Sequence, residues 1–260
     1  MRLKYHQAIV DLLGLHLEPS ADRLALLRER ETACGARLPE SVCEWYSLES
    51  AERLFYENSN QDSLVELSKL GDPAETAQGY LRVANENQGV VAWYVRLSEG
   101  VNPPVYDDQD QWQEDLSTVP WQENSKTFTN FVFDMVASHH LRGWTSGLHL
   151  EAEDRMPTNE ELDQFRHRFQ EGPVTDGPDS KVYRFFQPHG LLIIQSATPQ
   201  QRAASLATWS VQADSLEELV EMGKTIWKIG NLSKTLSPRS YREEVGFRAI
   251  VRLRAWEMGL

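Results

Sequence analysis

Only two cysteines, Cys34 and Cys43, occur in the 260 residues, and they form no C-x-x-C pair. That excludes a disulfide-stapled secreted fold and predicts a reducing, cytoplasmic setting, with both thiols acting as small apolar fillers. Long apolar runs are missing too. No stretch approaches the roughly 20 residues that cross a bilayer. The start, MRLKYHQAIVDLLGL, reads as a short amphipathic helix rather than a basic-then-apolar leader, so neither secretion nor membrane insertion is expected. Basic residues are absent between Arg96 and Lys126, where seven acids stand: Glu99, Asp107, Asp108, Asp110, Glu114, Asp115 and Glu123. With a net charge of −13 overall, this disfavours direct nucleic-acid binding and favours a basic partner or plain solubility. From Lys224 onward the balance reverses, with eight Lys/Arg against three Glu, a basic tail suited to binding phosphate or, the preferred reading, to neutralising the acidic body.

Catalytic signatures are equally scarce. GWTSG (143–147) sets its serine one position late for a nucleophile elbow, and no Gly-rich phosphate loop or HExxH occurs. His139 and His140 form the one histidine pair, but neighbours on a helix diverge by about 100° and suit a helix C-terminus better than a metal. Asp163 and His167 read as a surface i, i+4 pair. No cofactor, metal or catalytic residue is expected.

What is present is an ordinary globular composition, 40% hydrophobic and 25% charged, in a chain long enough for one large domain or two small ones. Ser20 is placed to cap a helix through Leu24 and Leu27, and PESVCEWY (39–46) starts another. Residues 57–73 read mostly as loop. Strands are predicted at 80–84, 90–97 and 104–106, with Gly89 at the turn of ENQGVVAWYVRL (86–97) and Trp93 filling the core rather than gripping a ligand. Phe128, Phe131, Val132, Met135 and Val136 form one stripe of a helix over 127–138. Periodicity stops across 139–157, which sets the expected domains at 1–145 and 150–260. Beyond it come a Thr158/Glu161 capping box, a hairpin around QPHG (187–190), a strand ending at WSVQA (209–213), and a helix capped by Asp214 or Ser215.

One cluster stands above this background, YDDQDQWQED (106–115). Its carboxylates lack the register of a calcium loop. The two readings are a solvated acidic loop and a partner-binding surface, in which Asp107, Asp108, Asp110, Glu114 and Asp115 steer a basic protein onto Trp112.

The order GARLPESVCEWY (35–46), a polar loop, ENQGVVAWYVRL (86–97), NPPVY (102–106), a tryptophan-bearing stretch and the 128–136 helix resembles the SUKH superfamily over about residues 23–140. That superfamily includes cell-wall-assembly regulators of the Smi/Knr type and bacterial immunity proteins. The resemblance implies an α+β fold, with helices packed on a mainly antiparallel sheet, and no catalytic residues. It also implies a cytoplasmic immunity protein that neutralises a cognate toxin by stoichiometric binding, the partner being a toxin domain with a basic surface. The alternative within the same fold is a regulatory scaffold with several protein partners. Residues 150–260, expected as an α+β extension, lie outside the resemblance.

Overall fold

The computed structural model describes residues 2–57, 59, 62–108, 115–140, 148–176, 181–196, 198–232, 236–238 and 243–257. It divides into two compact units, Met1–Val10 with Leu15–His140, and Asp11–Gly14 with Leu141–Leu260. The fold is α+β, and among the described residues no helix is long and apolar enough to cross a membrane.

The first unit begins with α1 (Gln7–Leu12), α2 (Ala21–Cys34), α3 (Glu40–Ser47) and α4 (Ala51–Glu57). Helix α2 starts directly after Ser20 and ends at Gly35, whose φ of +67° is the left-handed stop that glycine adopts without strain. Residues 57–73 are less irregular than their composition suggests. They hold β1 (Ser63–Leu64), a 3-10 turn (Leu67–Lys69) and the start of α5 (Pro73–Ala77). Asp72 caps α5 and Pro73 opens it, a pairing that was present in the sequence among turn-forming neighbours. Then follow β2 (Tyr80–Asn85), β3 (Ala92–Arg96), β4 (Val105–Asp107), β5 (Gln122–Ser125) and α6 (Phe128–His140). The strands pair antiparallel in chain order, β1-β2-β3-β4-β5.

The alternation of β3 decides what each face of this sheet does. Trp93 and Val95 turn inward, where Trp93 meets Phe131 of α6 with ring centroids 5.6 Å apart and Phe55 of α4 lies 5.9 Å from the same ring. Trp93 is 8% exposed, as a core residue should be. Gly89 carries a φ of +72° in the preceding turn, where its N–H donates to Glu86 O at 2.9 Å. Ala92, Tyr94 and Arg96 face the other way.

The second unit contains β6 (Leu148–Arg155), α7 (Asn159–Arg168), β7 (Gln170–Glu171), β8 (Thr175–Asp176), β9 (Lys181–Gln187) and β10 (Gly190–Ser196). It continues with α8 (Pro199–Ala203), β11 (Leu206–Ala213), α9 (Leu216–Gly230), β12 (Ser237–Pro238) and α10 (Glu243–Glu257). Its antiparallel sheet runs β12-β6-β11-β10-β9-β7, with β8 also on β9. Strand β6 occupies the stretch where periodicity was expected to stop, and it pairs along its whole length with β11. The capping box of α7 is present, with Thr158 and Glu161 serving each other's backbone N–H. Ser215, rather than Asp214, caps α9 by accepting from Glu218 N at 3.2 Å. Trp209, Phe165, Phe185, Leu192, Ile194 and Ile226 centre the core. Gly230 lets the end of α9 approach, since a Cβ there would stand 3.0 Å from the Trp209 ring.

Candidate functional site on the outer face of the first sheet

The outward side chains of β3 are covered by the segment that follows the acidic cluster. Asp115 accepts from Ser117 N at 3.0 Å and from Ser117 Oγ at 2.6 Å, starting a 3-10 turn (Leu116–Thr118). These bonds hold its carboxyl below the ordinary aspartate range. Leu116 and Val119 then bury themselves against Ala92 and Tyr94. Trp121 stacks on Tyr80 with centroids 4.9 Å apart and meets Tyr94 edge-on at 5.1 Å. Its Nε1 donates to Leu116 O at 3.1 Å, and Leu116 N donates to Gln78 Oε1 at 2.8 Å. The result is a second, smaller core on the outer face. Burial pushes the Tyr94 hydroxyl up to about 12, with Glu75 adding to it.

Beside this core runs a charged and aromatic ladder. The Arg96 guanidinium lies 4.4 Å from the Tyr106 ring centre and 5.9 Å from that of Tyr80. Glu99 sits 3.2 Å from Arg96 Nη1 and accepts the Tyr106 hydroxyl at 3.0 Å. Burial, then this hydrogen bond to Glu99, raises the Tyr106 pKa.

The acids singled out in the sequence separate on this frame. Asp107 ends β4, half-buried opposite Trp93 and Gln122. Asp108 departs from expectation: it is 3% exposed, and its Oδ1 accepts Ala92 N at 3.1 Å. It therefore extends the β3–β4 ladder and is not a surface for steering a partner. A carboxylate is the right side chain to meet a backbone N–H that has run out of strand partners. Asp115 is exposed and occupied as a cap. Asp110, Trp112 and Glu114 lie outside the described residues. Of the remaining acids, Glu99 serves the Arg96–Tyr106 ladder and Glu123 pairs with Lys126 at 2.6 Å. Trp121, Tyr80, Arg96 and Tyr106 were missed, although the period-2 run Tyr94–Arg96 and the dipeptide before Gln122 held the signal.

Other polar groups carry less. Asp163 pairs with Arg166 at 2.8 Å rather than with His167. The side chains of His139 and His140 lie outside the described ones. In the second unit, His149 Nε2 lies 2.5 Å from Ser210 Oγ and 3.8 Å from Glu151 Oε2. Carboxylate and hydroxyl thus approach the same ring nitrogen. Among the described residues no three His, Cys, Asp or Glu side chains converge as a metal set. No family model matches the chain, and no significant match is found among curated proteins or solved structures.

Proposed function

We propose that this chain is a non-catalytic, cytoplasmic binding protein of the SUKH type, an immunity protein that neutralises a cognate bacterial toxin domain by stoichiometric occlusion. The observation that carries the reading is the anchoring of the chain on either side of the acidic segment 109–114. On one side Asp108 is locked to β3, and on the other Leu116, Val119 and Trp121 are packed on the same face. Between them the sequence DQWQE (110–114) offers Asp110 and Glu114 around Trp112, the pairing of steering charge with an aromatic anchor that suits a basic partner. The wider pattern of helices, an antiparallel meander and a closing helix supports the same reading.

The test is to isolate the partner by affinity capture from the native cell extract, then measure stoichiometry and affinity by calorimetry. A toxin domain held at equal stoichiometry supports the reading. The variants Asp110→Lys, Glu114→Lys and Trp112→Ala are expected to weaken capture by about tenfold or more each. Asp107→Lys is expected to weaken it less. Tight binding that survives all four removes this surface. The presence of a second unit with its own core favours a scaffold as the runner-up. Several endogenous partners of modest affinity, none of them a toxin, would establish that instead.

A further inference from the structure

The cover formed by residues 115–121 leaves part of the outer face open. Over β1 and β2 lies a trough of about 520 Å³, within the range of small-ligand sites. The strand register explains its floor. Ser63 pairs with Asn85, and Arg82 pairs with Tyr94, so these side chains share the outward face while Leu64 points into the core. The bulge between Arg82 and Ala84 absorbs one residue and keeps Arg82 and Asn85 on the same side. Val65, next after Leu64, returns to that side and is half-buried. The walls come from the 3-10 turn, α5 and α2.

The lining carries three cations, Arg30, Lys69 and Arg82, and three carboxylates, Glu66, Asp72 and Glu75. Three of these six bond the backbone, Glu75 by accepting the Arg82 main-chain N–H. Arg30 donates to Leu70 O at 2.7 Å and Gly71 O at 3.2 Å, and Asp72 caps α5 through Ala74 N at 2.8 Å. Lys69 and Glu66 form an exposed pair at 3.1 Å, 69% and 65% accessible, which ligand charges displace at little cost. Arg82 and Glu75 are more enclosed. Arg82 Nη2 reaches Glu75 Oε1 at 3.1 Å, yet Arg82 Nε is buried and has no hydrogen-bond partner among the described residues. The side chain as a whole is 31% accessible, so the fork beyond Nε is open to a carboxylate, which a guanidinium takes in bidentate geometry. Burial also raises the Glu75 pKa, against the pull of Arg82, so this carboxylate gains from a second cation.

We infer that the trough binds a small zwitterion of the α-amino-acid type, its carboxylate on the open part of the Arg82 guanidinium and its ammonium toward Glu75 and Glu66. A ligand bearing both signs leaves the balance of three against three unchanged, whereas a singly charged one of either sign leaves an unpaired charge in a half-enclosed site. Ser63 and Asn85 on the floor supply neutral polar groups beside it.

The experiment is NMR on the full chain at low ionic strength, following the Arg82 Nε–Hε signal and the Leu64 and Val65 amides. The probes are free L-amino acids, with acetate and ethylamine as single-charge controls. At least one amino acid is expected to shift all three signals saturably at a Kd near ~1 mM or below. Neither control is expected to match it. Arg82→Lys keeps the charge beside Glu75 and removes the planar fork, and is expected to weaken binding by about tenfold or more. Val65→Trp fills the trough without touching Arg82 and is expected to abolish binding, which tests the site should the arginine variant fold poorly. The proposal is overturned by an absence of saturable shifts with every amino acid, by acetate alone reproducing them, or by binding that survives Val65→Trp.

Discussion

A carboxylate taken out of water needs donors equal to what it left behind, and two aspartates of the first unit are served differently. Asp108 accepts the Ala92 N–H at 3.1 Å and is 3% exposed. Asp108→Ala leaves that N–H unmet in the sheet and is expected to cost about 2 kcal/mol, read from urea unfolding. Asp107→Ala, at the half-buried strand end, is expected to cost less. Asp62 is 6% exposed and accepts Asn87 N at 3.0 Å. Burial pushes its pKa up to about 6, the Asn87 bond opposes this, and Glu86 adds to it. Because the folded value lies above the ordinary 3.8, the native state binds the extra proton. Its contribution is therefore fully present below about pH 4 and is lost as pH rises through about 6. Asp62→Asn keeps the acceptor and removes the charge, so it is expected to stabilise by ~1 kcal/mol at pH 7 and to change nothing near pH 4. Equal effects at both pH values would refute this. None of it was legible in the sequence, where Asp107 and Asp108 look alike and burial separates them only after β3 and β4 pair.

At the scale of elements, residues 4–6 are fastened to α3 by two carboxylates, Glu40 taking the Lys4 and Tyr5 side chains and Glu44 the backbone. Glu44 accepts the backbone N–H groups of Lys4, Tyr5 and His6 at 2.6, 2.7 and 2.9 Å. Its Oε1 also lies 3.2 Å from His6 Nδ1. Burial works to raise the Glu44 pKa, but the His6 bond and these backbone donors outweigh it and hold the group at about 2. A depressed carboxylate stabilises above its ordinary pKa of 4.5 and loses that contribution as pH falls toward about 2. Glu44→Gln is expected to cost ~2 kcal/mol at pH 7, with the difference from the parent vanishing near pH 2. Thermal unfolding followed across that range tests it, and a constant difference would refute the account. Legibility in the sequence also differed by element. The α7 capping box and the α6 stripe could be read because each is a local pattern. Strand β6 was obscured: Leu148, Leu150 and Ala152 do alternate inward, but His149 and Glu151 between them and Glu153 after them are charged or titratable, and the strand follows a Gly-containing stretch. Only its pairing along β11 resolves it.

For the whole molecule, the decisive fact is that each unit owns a core. In the first, Trp93, Phe131 and Phe55 close one face of its sheet, while Tyr94, Leu116 and Val119 close part of the other. In the second, Trp209 packs with Phe165 at 5.9 Å, its Nε1 donates to Arg155 O at 2.9 Å, and Gly230 approaches its ring. The outer-face core was not legible in advance, because Tyr94 stands more than 20 residues before Leu116 and Trp121, and the stretch leading to them reads as acidic and polar. The second unit's core could be anticipated only as helices and strands, with no pattern to set β6 between β11 and β12. Cores built from separate residue sets respond separately to damage, since opening follows local packing. Trp209→Ala removes a fully buried indole and is expected to destabilise the second unit by about 3–5 kcal/mol. In hydrogen exchange followed by mass spectrometry, β10 and β11 are then expected to lose protection by orders of magnitude, while β3 and α6 keep theirs. Trp93→Ala is expected to do the reverse. Loss of protection in both sheets from either substitution would mean that the two cores open as one cooperative unit, so that a lesion in the second unit also perturbs the first.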